Sequence, residues 1–196
     1  LMWCARFLKW KHPELPVKLA AQLKIKGYRF VLDMYGTGVE LDKTKNLVEQ
    51  LGVEDVVRFK GNVPNDEILK EMRRHEIFLF TSDKNEGWGA VVNESMSNGC
   101  AIVASDAIGS VPFLINDGEN GCIFKSCDLS SLCKKVEWLL DNPDKKRQIA
   151  IKAYNTMRDV WSPRNAAMNF LQLVDDLQSG RNVSVEDGPC SKAYPI

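Results

Sequence analysis

Residues 77–104 read IFLFTSDKNEGWGAVVNESMSNGCAIVA and predict one complete strand–helix–strand unit. Ile77–Phe80 and 101–104 are apolar runs of strand length, and a helix that ends at Gly99 lies between them. Neither run alternates polar and apolar residues, which is typical of parallel strands covered by helices on both faces. The stretch therefore predicts an α/β fold.

The same alternation of strand and helix extends through the rest of the chain. Further strands are predicted at 1–5, 28–34, 56–59 and, at the edge, 121–124. Helices are predicted at 13–26, 39–51, 66–75 with Asn65 as N-cap, 129–140, 143–159, and 163–177 with Ser162 as N-cap. The predicted fold class is a Rossmann-like parallel sheet with helices on both faces. We expect one domain over 1–160, a C-terminal helix within 161–180 and a polar tail over 181–196.

Ligands of such sheets bind outside the carboxyl ends of the strands, so the loops that follow strands are the candidate sites. Arg6 and Lys11 follow the first predicted strand, Gly36-Thr37-Gly38 the second, Gly61 the third, and Glu86 with its glycine-rich loop the fourth. These segments are expected to meet at one edge of the sheet.

The segment after the fourth strand combines features suited to an anion and a sugar. Gly87 and Gly89 allow close approach of the backbone to a ligand, and the helix that follows directs free N–H groups at it. Glu94 lies one to two turns along that helix, where its carboxylate can accept from two neighbouring hydroxyls, as on a ribose. Glu86 lies in the loop before the helix.

Composition excludes several classes of function. Lys plus Arg equals Asp plus Glu at 26 each, so no broad basic field is available for nucleic acid. Six cysteines show no CxxC pair or metal-type spacing, which predicts reduced thiols, no metal site and a cytoplasmic protein. No apolar run approaches the length that a bilayer requires. The chain starts at Leu1 within a predicted strand, so we expect a fragment that lacks an N-terminal partner domain.

Taken in order, these motifs resemble the C-terminal, donor-binding domain of retaining glycosyltransferases of the GT-B architecture. The resemblance covers roughly residues 1–160. It is carried by the cations after the first strand, the Tyr-Gly-Thr-Gly turn, the segment from Val57 to Gly61, the E-x7-E pair Glu86 and Glu94, and the later Asn-Asp-Gly-Glu-Asn-Gly at 116–121.

The resemblance implies roles for individual residues. Arg6 and Lys11 would hold the donor diphosphate and stabilise the leaving group, Glu86 would contact the transferred sugar, and Glu94 would hold the ribose. The remaining contacts would come from the backbone of Gly87, Trp88, Gly89, Ala90 and Val91, with Gly36 in a glycine turn and Arg58 in the base pocket. The donor would be a nucleoside-diphosphate sugar such as a UDP or GDP sugar, used without a metal cofactor.

The resemblance also implies that the chain is half of an enzyme. It would transfer a hexosyl group to a glycan or lipid-linked acceptor held by the missing N-terminal domain, as in polysaccharide biosynthesis, with peripheral membrane association of the full-length enzyme left open. Departures from the family pattern are His12, where glycine is common, Ser95 to Asn98, and the segment 109–113. His12 and His75 are expected to be surface residues.

Less specific interpretations remain for each motif. The carboxylates and cations could be solvated surface charges, Gly36 and Gly38 could be simple turn glycines, and Trp88 could serve only in packing. Two other functions remain open: a non-catalytic nucleotide-sugar-binding module and a nucleotide-sugar epimerase. A dehydrogenase is disfavoured because no Gly-x-Gly-x-x-Gly follows the first strand.

Overall fold

The computed structural model describes residues 1–192, and a six-stranded parallel sheet forms their centre. The strands pair in the order β3-β2-β1-β4-β5-β6, and helices cover both faces of the sheet. The bounds are Met2–Cys4 (β1), Leu32–Tyr35 (β2), Val57–Gly61 (β3), Ile77–Phe80 (β4), Ala101–Ser105 (β5) and Cys122–Phe124 (β6). The predicted Rossmann-like fold class is confirmed.

Eight α-helices connect and flank the strands of the described part of the chain. They are Glu14–Ile25 (α1), Leu41–Leu51 (α2), Asn65–Met72 (α3), Val91–Ser97 (α4), Val111–Leu114 (α5), Leu129–Asp141 (α6), Pro143–Asn155 (α7) and Pro163–Gln178 (α8). A 3-10 turn at Lys9–Lys11 and a π-helical turn at Thr156–Val160 complete the list. No helix within residues 1–192 is long and apolar enough to cross a membrane.

Each face of the sheet buries its own apolar cluster. On one face, Trp3, Leu79 and Val103 pack against α1 and α6, and on the other, Phe78 and Ile102 pack against α3 and α4. The central strands β4 and β5 are buried at every position, which explains their continuous apolar sequence. Because these strands are parallel, all their carboxyl ends meet at one edge.

The strand order reverses its direction between β1 and β4. β1 is followed in sequence by β2 on one side, whereas its other neighbour in the sheet is β4. At such a switch point the loops leave β1 and β4 on opposite sides and open a crevice between them. The loops 5–13 and 81–90 border this crevice and contain most of the candidate site residues.

Several predicted boundaries differ from the structure. The second strand begins at Leu32, whose N–H donates to the carbonyl of Val56, the residue before β3. Helix α3 begins at Asn65 itself, so Asn65 is its first residue and Pro64 precedes it. The single turn of α5 was not predicted. Ser162 caps α8 as predicted, by accepting from the N–H of Asn165 at 3.1 Å.

Residues 181–192 fold back along α8. Asp176 accepts from the N–H and the hydroxyl of Ser184 at 2.8 and 2.7 Å, and these bonds lower the pKa of its carboxyl to about 2. Asn169 donates to the carbonyls of Asp187 and Pro189. The last four residues of the predicted tail, 193–196, lie outside the described residues.

Candidate functional site

An ion pair between Lys11 and Glu86 bridges the crevice. The Lys11 ammonium contacts Glu86 Oε2, and the Ser82 hydroxyl donates to the same oxygen at 2.9 Å. Both charged side chains are 12% exposed, so they are largely removed from water but open to the crevice. Two residues separated by 75 positions in sequence are therefore brought into contact where β1 and β4 diverge. Sequence reasoning did not identify Ser82, which has no motif of its own.

Buried hydrogen bonds fix the two loops that carry this pair. Trp3 Nε1 donates to Thr81 Oγ1 at 2.9 Å, and Thr81 Oγ1 donates to the carbonyl of Lys11 at 2.7 Å. The Lys11 ammonium also lies 4.1 Å from the centre of the Trp10 ring, a cation–π contact. The chain from β1 through Thr81 to Lys11 therefore holds the ammonium in one position.

Glu94 lies on α4, near the carboxyl end of β1. Burial, followed by the charge of Glu94, raises the pKa of the Cys4 thiol to about 11. Burial also raises the pKa of Glu94, and a side-chain hydrogen bond from Asn65 opposes this shift.

The glycine turn after β2 packs against the loop after β1. The Phe7 N–H donates to the carbonyl of Thr37 at 2.9 Å, and Gly36 has φ +121°. A Cβ atom at Gly36 would lie 2.0 Å from the Ala5 carbonyl oxygen, and one at Gly38 would lie 2.4 Å from the Phe7 carbonyl oxygen. Close backbone approach alone therefore requires both glycines.

A second backbone contact supports the loop 86–90. The N–H groups of Gly109 and Ser110 donate to the carbonyls of Gly87 and Trp88 at 3.0 and 3.1 Å. Gly109 permits this approach, since a Cβ there would lie 2.2 Å from the Gly87 carbonyl oxygen. The segment 109–113, where the sequence departs from the family pattern, is therefore a brace for the candidate site.

The ring of Trp88 points away from the ion pair. It packs at 5.8 Å from Phe113 and 5.5 Å from Trp161, and its Nε1 donates to Asn93 at 2.9 Å. The ring of Trp88 thus connects this loop to Trp161, two residues before α8. Ala90 and Val91 form the junction of the loop with α4.

The two arginines among the predicted site residues lie in different places. Arg6 is exposed on the loop after β1, on the side of the crevice that also carries Lys11. Arg58 pairs in register with Asp33, three residues before the carboxyl end of β3, which is an edge strand. The structure therefore does not bring Arg58 next to the Lys11–Glu86 pair, and its role in a base pocket stays a prediction.

The prediction that both histidines are surface residues is wrong. His12 has φ 51°, which is the left-handed conformation that favours glycine. This conformation costs about 1 kcal/mol for other residues. Its ring bonds Glu14 and Asp83, so its side chain is 18% exposed. The His75 side chain is 12% exposed and bonds Asp33 at 3.2 Å. Local sequence could not show these partners, because most are distant along the chain.

The strand order and the crevice between β1 and β4 define a Rossmann-like α/β domain of the type that forms one half of a GT-B fold. The model of the family "Glycosyl transferases group 1" matches residues 1–156, so the chain belongs to this glycosyltransferase family. The resemblance inferred from the sequence motifs is confirmed at the level of the family.

Curated relatives of the chain are considerably longer than the chain. It is 29% identical over 147 residues to a D-inositol 3-phosphate glycosyltransferase of Corynebacterium aurimucosum, a match covering 72% of the chain and 34% of the relative. It is 28% identical over 121 residues to the GtfA subunit of a UDP-N-acetylglucosamine–peptide N-acetylglucosaminyltransferase of Streptococcus gordonii, covering 62% and 23%. The chain thus spans about a third or less of these two relatives.

Solved structures share the fold. The C-terminal domain of a glycosyl transferase group 1 family protein (LpcC) from Francisella tularensis has a TM-score of 0.73 at 26% identity, covering 80% of this chain and 83% of that one. HepE from Anabaena, solved with UDP and glucose, has a TM-score of 0.74 at 22% identity, covering 91% and 47%. S. aureus TarM has a TM-score of 0.78 at 20% identity, covering 87% and 34%.

Proposed function

We propose that this chain is the donor-binding half of a retaining glycosyltransferase that transfers a hexosyl group from a nucleoside-diphosphate sugar to a glycan or lipid-linked acceptor. The observation that carries the proposal is the Lys11–Glu86 pair in the crevice between β1 and β4, with Glu94 on α4, the helix that follows the loop of Glu86. A cation for phosphate and two carboxylates for hydroxyl groups border the same crevice. Membership of the family supports this assignment.

In this proposal, the two carboxylates bind different parts of the donor. Glu94, partly buried between β1 and the first residue of α3, accepts from the ribose hydroxyls. Glu86 exchanges its contact with Lys11 for hydroxyls of the transferred sugar. A charge-assisted hydrogen bond of this kind contributes about 1.5 to 3 kcal/mol. Arg58 and Gly36 are assigned no side-chain contact with the donor.

The cations act on the leaving group. When the bond between the anomeric carbon and the phosphate oxygen breaks, negative charge grows on the nucleoside diphosphate. Lys11, released from Glu86, and Arg6 on the same loop stabilise this charge. Because Thr81 holds the Lys11 backbone and the Trp10 ring contacts its ammonium, the cation stays at the crevice when it leaves Glu86, where it can stabilise the developing charge. We infer that this protein charge does the work that a metal ion does in other transferases.

The acceptor and the other half of the cleft lie outside this chain in our proposal. The chain spans less than half of HepE and about a third of the Corynebacterium relative. We infer that the remaining part supplies the acceptor site, and that residues 1–160 form the donor domain with α8 leaving it toward that part. The complete enzyme is assigned to the synthesis of a surface glycan or glycolipid in the cytoplasm.

Calorimetric titration of the chain with UDP, GDP and ADP tests the proposal. We expect one of the three to bind with 1:1 stoichiometry, because the elements assigned to ribose and diphosphate all lie in this chain. Circular dichroism on the same sample establishes that it is folded. A folded sample that releases heat with none of the three nucleotides would contradict the proposal.

Glu94→Gln is expected to weaken binding of that nucleotide by one to two decades. The substitution keeps the size of the side chain but removes the charge that strengthens two hydrogen bonds to the ribose. Glu49→Gln, an exposed position on α2, is the matched control and should leave the dissociation constant unchanged. The substitution should reduce the affinity for the 2′-deoxy nucleotide much less than the affinity for the ribonucleotide. Equal losses for both nucleotides would exclude the ribose contact.

A further inference from the structure

Three loops bring a thiol, an imidazole and two carboxylates together beside the crevice. His12 Nε2 lies 3.4 Å from Cys127 Sγ and 3.2 Å from Asp83 Oδ2, and His12 Nδ1 lies 2.9 Å from Glu14 Oε1. Cys127 comes from the loop after β6 and Asp83 from the loop after β4. No group of three such side chains within residues 1–192 is arranged to hold a metal ion, so the cluster requires another explanation.

The arrangement is that of a nucleophile with its base. A thiol within hydrogen-bond reach of an imidazole, which is itself oriented by a carboxylate, is the geometry that activates cysteine for attack on an electrophile. His12 and Cys127 are also two of the three residues other than glycine, within residues 1–192, that have positive φ, at 51° and 59°. Two strained residues in mutual contact are more typical of a functional site than of packing.

The other cysteines are less exposed. Burial is the main cause that raises the pKa of the thiols of Cys4, Cys122 and Cys133 to about 11, and of Cys100 to about 12. Cys190 is half-buried, and Cys127 is the exposed one of the six. The chain therefore contains its own internal controls for thiol reactivity.

A cavity of about 490 Å³ opens beside the same histidine. His12 and Glu14 line it together with Lys9, Lys18 and Lys43 from the loop after β1, α1 and α2. Glu14 already bonds His12, and Glu40 forms an ion pair with Lys43. The negative charges of the two carboxylates in the cavity are therefore compensated. Lys9 and Lys18 are exposed and leave the cavity with positive charge. Cys127 does not line the cavity but contacts Nε2 of His12, whereas Glu14, which lines it, contacts Nδ1. A small disulfide that reacts at Cys127 therefore extends past His12 to bring its carboxylates to these lysines.

We propose that Cys127 is a reversible modification site, at which a small disulfide bearing carboxylates forms a mixed disulfide with the protein. The thiol proton passes to His12 Nε2, and the thiolate attacks one sulfur of the disulfide. A new S–S bond forms to Cys127, the original S–S bond breaks, and the leaving thiolate takes the proton from His12. The disulfide is the oxidant, and one small thiol is released per modified chain.

The modified group acts on the donor crevice through Asp83. The Asp83 N–H donates to the carbonyl of Trp10 at 2.9 Å, and the Asp83 carbonyl accepts from the N–H of Glu86 at 3.0 Å. A substituent on Cys127 Sγ takes the space next to His12 Nε2 and separates the ring from Asp83. The loop that positions Glu86 is then less constrained, so nucleotide binding weakens. This consequence, unlike the reaction at Cys127, rests on the proposed function.

The reaction is tested by incubating the folded chain with glutathione disulfide and mapping the modified peptides by mass spectrometry. We expect Cys127 to react at least 10-fold faster than any other cysteine, and the rate at Cys127 to fall at least 5-fold in His12→Asn. Asparagine tolerates the left-handed backbone and removes the base. Reaction with the cationic disulfide cystamine should be slower than with glutathione disulfide, and Lys9→Gln with Lys18→Gln should remove this preference. Equal rates in wild type and His12→Asn, or a faster reaction at another cysteine, would overturn the inference.

The effect on the crevice is measured separately. The mixed disulfide is expected to bind the preferred nucleotide 5- to 10-fold more weakly than the reduced chain, with full recovery on reduction by dithiothreitol. Cys127→Ser treated in the same way should show no change. Unchanged nucleotide affinity in the fully modified chain would disprove the coupling. If the reduced chain binds no nucleotide, the proposed function fails, whereas the mapped reactivity of Cys127 still decides the modification site.

Discussion

Replacement of Lys11 by methionine is expected to lower kcat of the complete enzyme by about 10² to 10³. A fixed charge at the site where negative charge develops stabilises the transition state more than the bound donor, and loss of one such group costs about 2.7 to 4 kcal/mol. The loss is accentuated because Glu86 would remain in the crevice without its cation. Steady-state kinetics with the preferred nucleotide sugar measure the effect.

The same variant has a second, more specific signature in the chain alone. UDP should lose affinity on Lys11→Met, whereas uridine, which lacks the diphosphate, should bind as in the wild type. Lys45→Met, an exposed position on α2, is the matched control and should leave the affinities for UDP and uridine unchanged. If kcat falls less than threefold, or if uridine and UDP lose affinity equally, Lys11 does not stabilise the leaving group.

Replacement of Gly36 by alanine is expected to destabilise the chain by about 3 to 5 kcal/mol. The φ of +121° is unfavourable for any side chain, and the added Cβ would lie 2.0 Å from the Ala5 carbonyl oxygen. Because that atom belongs to the backbone at the end of β1, the contact cannot be relieved by rotation of a side chain. Urea denaturation followed by circular dichroism measures the free energy of unfolding.

Gly27→Ala is the control that separates the cost of a positive φ from the cost of the steric overlap at the added Cβ. Gly27 also has positive φ, at 78°, but nothing lies within 4 Å of the position of its Cβ. It should therefore cost only the conformational penalty of about 1 kcal/mol. If Gly36→Ala costs no more than Gly27→Ala, the loop after β1 can move away, and the close approach of the two loops is not a requirement of the fold.

The strands and most helices could be predicted because their signals are local. The apolar runs of β4 and β5 and the cap at Ser162 each depend on a few consecutive residues. The second strand was placed four residues too early, because Tyr28, Phe30 and Val31 resemble strand residues but precede the strand, which begins at Leu32. Helix α5 was missed because it is a single turn that contains Pro112.

The candidate site could be predicted only in part. The location of Lys11 and Glu86 in loops after the first and fourth strands followed from the α/β pattern, but the contact between them depends on the strand order, which places β1 next to β4. Arg58 was assigned from the resemblance to a base pocket, and the strand register, which local sequence does not specify, keeps it away from the Lys11–Glu86 pair. The contact between His12 and Cys127 joins residues 115 positions apart and could not be seen from spacing.

The contact between Lys11 and Glu86 has a consequence for selectivity. Within the crevice the ammonium of Lys11 already contacts an anion that belongs to the protein, Glu86. Free phosphate or chloride must displace this tethered competitor and offers nothing that could bind the carboxylate in exchange. In our proposal a sugar nucleotide does both at once, since its diphosphate binds the ammonium while its hydroxyls bind Glu86. On this proposal the crevice selects against small anions and in favour of a ligand that carries both groups.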